Sequence, residues 1–342
     1  VVTTEIWMSA LLIVALALII DAVVGEPPNK IHPLRWMGNI LGWLDRHISR
    51  KNPRTTKIKG FLSYLLVASV FIFISLLILV LARVYIGEHW GIEIGEIVWI
   101  ILSAFLFKLT FAVFSFRKHC RPIQNDLRNG DLDAAAKKTQ MIVSRKTEGM
   151  DQEHLASCCV ETTAENFADS VCSPGLYFGL LGIFGAFMFR TTNLMDAMWG
   201  YRNEKYGNLG FFPAKFDDVL GFITSRMSIL FIALAAALMR LDARSALRTA
   251  KNEHKKTPSP NSGWPMAAVA GALGVTMEKK NVHVIGSGPL PSIEDIRRAY
   301  KLVETASVLL IIIITIPLYV FIGVHVQLFF EDLMYKLLEM IF

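Results

Sequence analysis

The sequence predicts an all-α integral membrane protein, a single membrane-embedded domain over residues 1–342 with four to six transmembrane or half-inserted helices and helical cytoplasmic loops. Three observations predict it. Mean hydropathy is +0.44 and 53% of residues are hydrophobic against 19% charged, a balance that soluble domains of this length rarely carry. Several apolar runs are long enough, at about 1.5 Å per helical residue, to cross about 30 Å of hydrocarbon. Lys and Arg gather in alternate loops, the mark of membrane orientation.

The first run, residues 6–24, lacks the preceding basic region and small-residue cleavage site of a secretory signal, and Asp21 interrupts its end, so it reads as a retained span. Residues 61–82 are uncharged, residues 97–116 hold one charge, Lys108, and residues 305–324 hold none. Two further segments can cross, break or re-enter: 171–189, with Pro174 and glycines 175, 179, 182 and 185, and 219–239, with Arg226.

Lys and Arg number eight in residues 25–60, none in 85–96, eight in 117–170, ten in 242–303 and one after Val324. The three basic loops, about 25–60, 117–170 and 242–303, therefore share the cytoplasmic side, which places both termini outside it. The net charge of +6 is explained by this topology and by contact with the lipid bilayer, and no nucleic-acid module is visible. Cys120, Cys158, Cys159 and Cys172 form no C-x-x-C pair, so neither disulfides nor a zinc site is expected.

Residues 132–145 and 151–169 read as helices, the second with Asp151 at its N-cap. On it Glu161, Glu165 and Asp169 recur every four residues, stacking three carboxylates on one face. Like charges so placed repel unless a divalent cation or basic side chains offset them. A second cluster follows, in which Asn193, Asp196, Gly200 and Asn203 share one face of a helix, with Arg202 and Lys205 suited to phosphate. Arg226, seven residues into an apolar segment, expects Asp217 or Asp218 as its partner. Thr257 to Gly274 brackets an Asn-Ser-Gly turn with prolines ahead of a small-residue helix. His32 lies in an extended X-His-Pro loop. No nucleotide-loop, G-x-S-x-G or H-E-x-x-H signature occurs.

Four blocks, taken in order, resemble one family: D-x-x-x-G-E-P-P-x-x-x-H-P from Asp21, V-E-T-x-A-E-N-x-x-D from Val160, N-x-x-D-x-M-x-G-Y-x-N-E-x-Y from Asn193 with Asp217-Asp218 downstream, and S-P-N-S-G-W-P from Ser259. The chain is similar to the cobalamin-biosynthesis membrane proteins CbiB and CobD, adenosylcobinamide-phosphate synthases. That resemblance implies a plasma-membrane ligase joining adenosylcobyric acid, a corrinoid, to (R)-1-aminopropan-2-ol phosphate or a similar amino-alcohol phosphate, with ATP and magnesium (Mg2+). It implies metal binding by Glu161, Glu165, Asn166 and Asp169, and catalytic roles for His32, Glu161 and Asp196. Phosphate and substrate would meet Arg145, Arg202, Lys205, Asn203, Asn261 and Trp264. The resemblance is also compatible with a homo-oligomer or association with other enzymes of the pathway. Lys146 stands where the family pattern has aspartate, and Met266 where it has glutamate. The competing reading from the residues is a membrane transporter for a corrinoid or a phosphorylated small molecule, which also uses Gly-rich broken helices.

Overall fold

A computed structural model describes residues 5–28, 30 and 32–340 of the chain, and helices dominate among them. The chain gathers into two compact units, one of Val1–Ala112, Pro174–Leu220 and Ile312–Phe342, the other of Val113–Ser173 and Gly221–Ile311.

The first unit opens with α1 (Ile6–Val23), α2 (Pro33–His47) and α3 (Pro53–Val80), which continues through π-helical Leu81–Ile86 into α4 (Gly87–Trp90). Each of α2 and α3 begins where proline takes the first helical position after a side-chain cap: His32 accepts from the N–H of Leu34, and Asn52 from those of Arg54 and Thr55. Next comes α5 (Ile92–Lys108), parallel to α1. Ser9 donates to Glu96 (3.0 Å) near the start of each helix, and Lys108 meets Asp21 (3.0 Å) near the end of each. The apolar run expected over residues 97–116 thus ends as a helix at Lys108, whose ammonium is fixed there by Asp21 and Glu26.

Most of α9 (Ser173–Trp199) belongs to this unit and breaks at Gly182 (φ 61°, ψ −147°). There Gln327 of α15 (Val324–Glu339) accepts from the N–H of Ile183 (3.3 Å), supplying the partner that the break removes. The unit's core includes stacked rings, Phe107 on Phe178 (3.6 Å) and Phe178 on Tyr319 (4.1 Å).

In the second unit lie α6 (Ser115–Arg128), α7 (Leu132–Gln140) and α8 (Gln152–Phe167), which widens into a π-helical turn at Ala168–Cys172. The helix expected over residues 132–145 stops at Gln140, because Gln140 and Ala136 accept from Thr147 and fold residues 141–150 back as turns. Asp151 caps α8 as expected, accepting from the N–H of His154 (2.9 Å). The unit also holds the second part of α10 (Phe211–Leu238), then α11 (Ala243–Glu253), α12 (Gly263–Leu273) and α13 (Ile293–Leu310). Helix α13 runs on through π-helical turns and α14 (Ile316–Leu318) into α15 of the first unit. Gly271 lets α12 press on the Ser245 carbonyl of α11, and buried Ala267, Ala268 and Ala270 keep the packing close.

One element has no counterpart in the sequence reading: strands β1 (Thr276–Lys279) and β2 (His283–Gly286) form an antiparallel hairpin with Lys279 opposite His283. Met277 and Ile285 pair on its buried side.

Among the described residues five helical runs are long and apolar enough to cross a membrane: Ile6–Val23, Pro53–Trp90, Gln152–Trp199, Phe211–Leu238 and Ile293–Glu339. Of the two uncertain segments, 171–189 falls within Gln152–Trp199, and 219–239 falls within Phe211–Leu238 except for its last residue. All four cysteines are free and buried.

Candidate functional site

In the second unit the acidic face of α8 meets basic groups. Glu161, only 5% exposed, faces Arg145 Nη2 (2.9 Å) and His283 Nε2 (3.4 Å) and accepts from Ser157 Oγ (3.0 Å). Ser157 Oγ in turn accepts from the N–H of Glu278 (3.2 Å), whose carbonyl accepts from Arg145 Nη1 (3.3 Å). The hairpin is thereby tied to α8 through one backbone residue, and His283 is brought onto Glu161. Burial opposes the charge of Arg145, but Glu161 and Cys158 together outweigh it and raise the guanidinium pKa above its ordinary value.

The stacked carboxylates are thus offset by basic side chains at Glu161. Farther along, Glu165 is exposed and Asp169 half-buried in the π-helical turn, whose extra residue rotates it away from the four-residue repeat. Asn166 spends its amide locally, donating to the Thr162 carbonyl (2.9 Å) and accepting from Ser170 Oγ (3.4 Å). Among the described residues no three His, Cys, Asp or Glu side chains converge as a metal site.

Beside Arg145 opens a cavity of about 480 Å³. Arg145, Lys146, Lys279, Lys280 and His154 line it, against Asp151 and Glu278. Asp151 is itself met by His154 Nδ1 (2.7 Å), and hydrogen bonds from the His154 N–H and ring hold its carboxyl below the usual range. Lys279, Lys280, Glu278 and His283 escape sequence reasoning because their hairpin does; the only local signal is the basic pair ahead of Asn281, which takes a left-handed φ of 60° in the turn.

The Thr257–Gly274 turn stands in the same unit. Trp264 stacks on His254 (3.5 Å), and Arg226 lies over Phe222 (3.5 Å) and near Trp264 (5.1 Å). Arg226 donates to the Phe222 carbonyl (2.7 Å) and to Asn261 Oδ1 (3.4 Å). The partners found for Arg226 are therefore an amide and two rings rather than the expected aspartate, because its helix faces the turn.

The first unit carries the remaining candidates. His32 is buried with both ring nitrogens engaged: Nδ1 accepts from Leu34 (3.2 Å), so Nε2 carries the proton offered to Glu26 (3.1 Å). Lys108, 1% exposed, completes this group at Glu26 (2.7 Å) and Asp21. Burial pushes the Glu26 carboxyl up, yet His32 and Lys108 overcome it and bring its pKa down from 4.5 to about 2. His32 thus caps α2 and pairs with the Glu26 carboxylate.

Asp196 is half-buried near the end of α9, which stops at Trp199. Asn203 consequently leaves the helical face expected for it, and its side chain accepts from the N–H of Tyr206 (2.9 Å) as a turn residue. Arg202 is exposed and lines a cavity of about 100 Å³ with Trp199, Tyr201, Tyr206, Lys215 and Asp218. Lys205 meets Asp45 (2.9 Å) and donates to the Tyr206 hydroxyl (2.7 Å). The sequence-predicted residues thus divide between the units: Arg145, Glu161, Glu165, Asn166, Asp169, Asn261 and Trp264 in one, His32, Asp196, Arg202, Asn203 and Lys205 in the other.

A family model described as CobD/Cbib protein matches residues 14–322. The chain is 38% identical over 284 residues to the cobalamin biosynthesis protein CobD of Dehalococcoides mccartyi, covering 83% of this chain and 89% of the relative. It is 36% identical over 291 residues to the "Probable cobalamin biosynthesis protein CobD" of Methanococcus aeolicus, covering 85% and 90%. Its identity to the corresponding protein of Thermococcus kodakarensis is 36% over 310 residues, covering 90% and 96%. No solved structure matches the chain.

Proposed function

The chain belongs to the CobD/CbiB family of cobalamin biosynthesis proteins, and from that membership we propose that it is the ATP-dependent ligase joining adenosylcobyric acid to an amino-alcohol phosphate such as (R)-1-aminopropan-2-ol phosphate. A carboxylate at neutral pH has no leaving group for an amine to displace. In the reaction proposed, the corrinoid carboxylate attacks the terminal phosphorus of ATP, ADP departs, and an acyl phosphate forms. The amine then attacks the acyl carbon; phosphate leaves and the nitrogen gives up a proton, closing the amide. Every stage before release carries phosphate, so the site needs fixed cations.

The observation that carries this reading is the convergence of Arg145 and His283 on Glu161, a residue of one of the family's acidic blocks, beside a basic cavity. Arg145 is the residue suited to hold a phosphoryl oxygen, its guanidinium oriented by Glu161 and the Glu278 carbonyl. Glu161, occupied by two basic partners, is a positioning group for Arg145 rather than a metal ligand. Magnesium would arrive on the nucleotide and neutralise phosphate charge; one or two carboxylates suffice to hold it, and Glu165 and Asp169 are the candidates. Asn261 and Trp264, with Arg226, offer an amide, an aromatic face and a cation to a second ligand. Asp196 and Arg202 are proposed contacts of a further substrate group.

The test is mass spectrometry of purified protein with adenosylcobyric acid, amino-alcohol phosphate, ATP and magnesium. A product heavier than the corrinoid by the amine minus water is expected, and Glu161→Gln should cut its formation by orders of magnitude. Folded protein that neither makes the product nor consumes nucleotide would overturn the reading. The helix break at Gly182 favours a second reading, transport of a corrinoid or phosphorylated molecule; uptake into proteoliposomes without nucleotide turnover would support it.

A further inference from the structure

The reaction outlined above calls for fixed cations but does not say which of its phosphate-bearing ligands occupies the cavity of about 480 Å³ beside α8. Arg145, Lys146, Lys279 and Lys280 contribute four positive charges against the two carboxylates of Asp151 and Glu278 on the lining; with Glu161, which pairs with Arg145 from behind it, the excess is one before His154 is considered, and the three lysines carry it. Repulsion among cations in one concavity is unfavourable, and it persists only where something anionic relieves it; a concave wall also concentrates the field on whatever enters. Two lysines stand on the hairpin, which cannot drift because the Glu278 backbone is bonded to both Ser157 and Arg145. Their positions are set before a ligand arrives, which lowers the cost of binding. Arg145 spends N–H groups on Glu161, the Glu278 carbonyl and Cys158 and, as a guanidinium, has five. The volume lies in the range of small-molecule sites, but no Phe, Tyr or Trp lines the cavity to stack a base.

We propose that this cavity seats the polyphosphate end of a nucleoside triphosphate, with Lys146, Lys279 and Lys280 as its cationic contacts and Arg145 as its oriented fork. The base lies outside the cavity. The choice of a nucleotide rests on the ligase reading; the choice of a linear polyphosphate rests on charge and shape alone. An anionic lipid headgroup shares the phosphate chemistry, and the experiment separates the two sources.

Titration calorimetry on the full chain in neutral detergent, with sodium tripolyphosphate and then ATP as probes, should give binding of both, each displacing the other. Lys279→Gln and Lys280→Gln should each weaken tripolyphosphate by about tenfold, the effect of one lost charge-assisted contact, and Lys255→Gln, an exposed lysine outside the cavity, should leave it unchanged. Absence of tripolyphosphate binding by folded wild-type protein, or equal affinity in the cavity variants, overturns the proposal. In nanodiscs, loss of binding on replacing neutral lipid by phosphatidylglycerol, without any ATP competition in detergent, would assign the cavity to lipid and overturn it as well. Amide formation with an unaltered KM for ATP in Lys279→Gln would sink the cavity assignment while leaving the ligase intact. Tripolyphosphate binding that the variants weaken, in protein that makes no amide, would do the reverse.

Discussion

At Glu161 a carboxylate that helical spacing marks as a repulsive neighbour of Glu165 acquires the Arg145 guanidinium as an ion-pair partner, with the His283 ring beside it. Because both Glu161 and Arg145 are largely withdrawn from water, deleting one leaves the other charge stranded, at a cost of roughly 3 kcal/mol. Arg145→Gln and Glu161→Gln should each lower the unfolding midpoint in detergent, and the double variant should recover part of the loss, giving a coupling energy of about 1–3 kcal/mol; strict additivity would mean that the pair is not formed. Glu26 gives a pH signature. Its folded-state pKa of about 2 lies below the ordinary 4.5, so its contribution to stability is fully present above about pH 4.5 and disappears as pH falls through about 2. Thermal melts between pH 6 and pH 2.5 should show wild type losing stability more steeply than Glu26→Gln, and parallel curves would remove the Glu26–Lys108–His32 group as the cause. Lys108 itself is readable from sequence as the lone charge in an apolar run, and Asp21 and Glu26 as motif acids. Their union is not, because it depends on two distant helices lying parallel and ending together.

Among elements, the break in α9 and the hairpin mark the two ends of what local sequence can reveal. Glycines at 175, 179, 182 and 185 announce an irregular helix, and the structure selects Gly182, whose φ and ψ lie in a region reserved for glycine. A Cβ there would also stand 2.6 Å from that of Gln327. Gly182→Ala should therefore destabilise the protein by several kcal/mol, a sum of backbone strain and overlap. Gln327→Leu should cost about 1–3 kcal/mol, the price of an unpaired Ile183 N–H. Unfolding midpoints for the two variants test this order, and a neutral Gly182→Ala would mean that the helix is continuous. The hairpin, in contrast, gives almost no warning. Its strands span four residues each, too short for alternation to stand out, and the turn between them holds Lys280, Asn281 and Val282 in place of an Asn-Gly pair. Its basic residues read instead as one more stretch of a positively charged loop. The element that completes the cationic cavity is thus the one whose local sequence is least distinctive.

For the whole molecule, composition is enough to establish a helical membrane architecture, and four short blocks are enough to point to the family. The two compact units are hidden, because each is assembled from stretches that interleave along the chain. Charge combined with packing gives an orientation to test. Helices α1 and α5 are parallel, since Ser9 meets Glu96 at one end and Lys108 meets Asp21 at the other. The chain must therefore return between them, and the segments that leave the two helices, beginning at residues 24 and 109, emerge at the same end. Each leads into a basic loop of eight Lys and Arg, while the turn at residues 85–96 has none. The α5 helix, at 17 residues, is one residue shorter than the 18-residue α1, and its parallel partner requires it to cross whenever α1 does. If both cross, Lys51→Cys and Lys118→Cys should react with an impermeant maleimide only from the cytoplasmic face, and His89→Cys only from the other. All three native residues are exposed, and the four buried cysteines should give little background. Asn208→Cys carries the functional consequence. Labelling from the cytoplasmic face would bring Arg202 and Asp196 to the side where ATP is available, whereas labelling from the outer face would remove that block from the proposed reaction and leave the chemistry to the unit that contains Arg145.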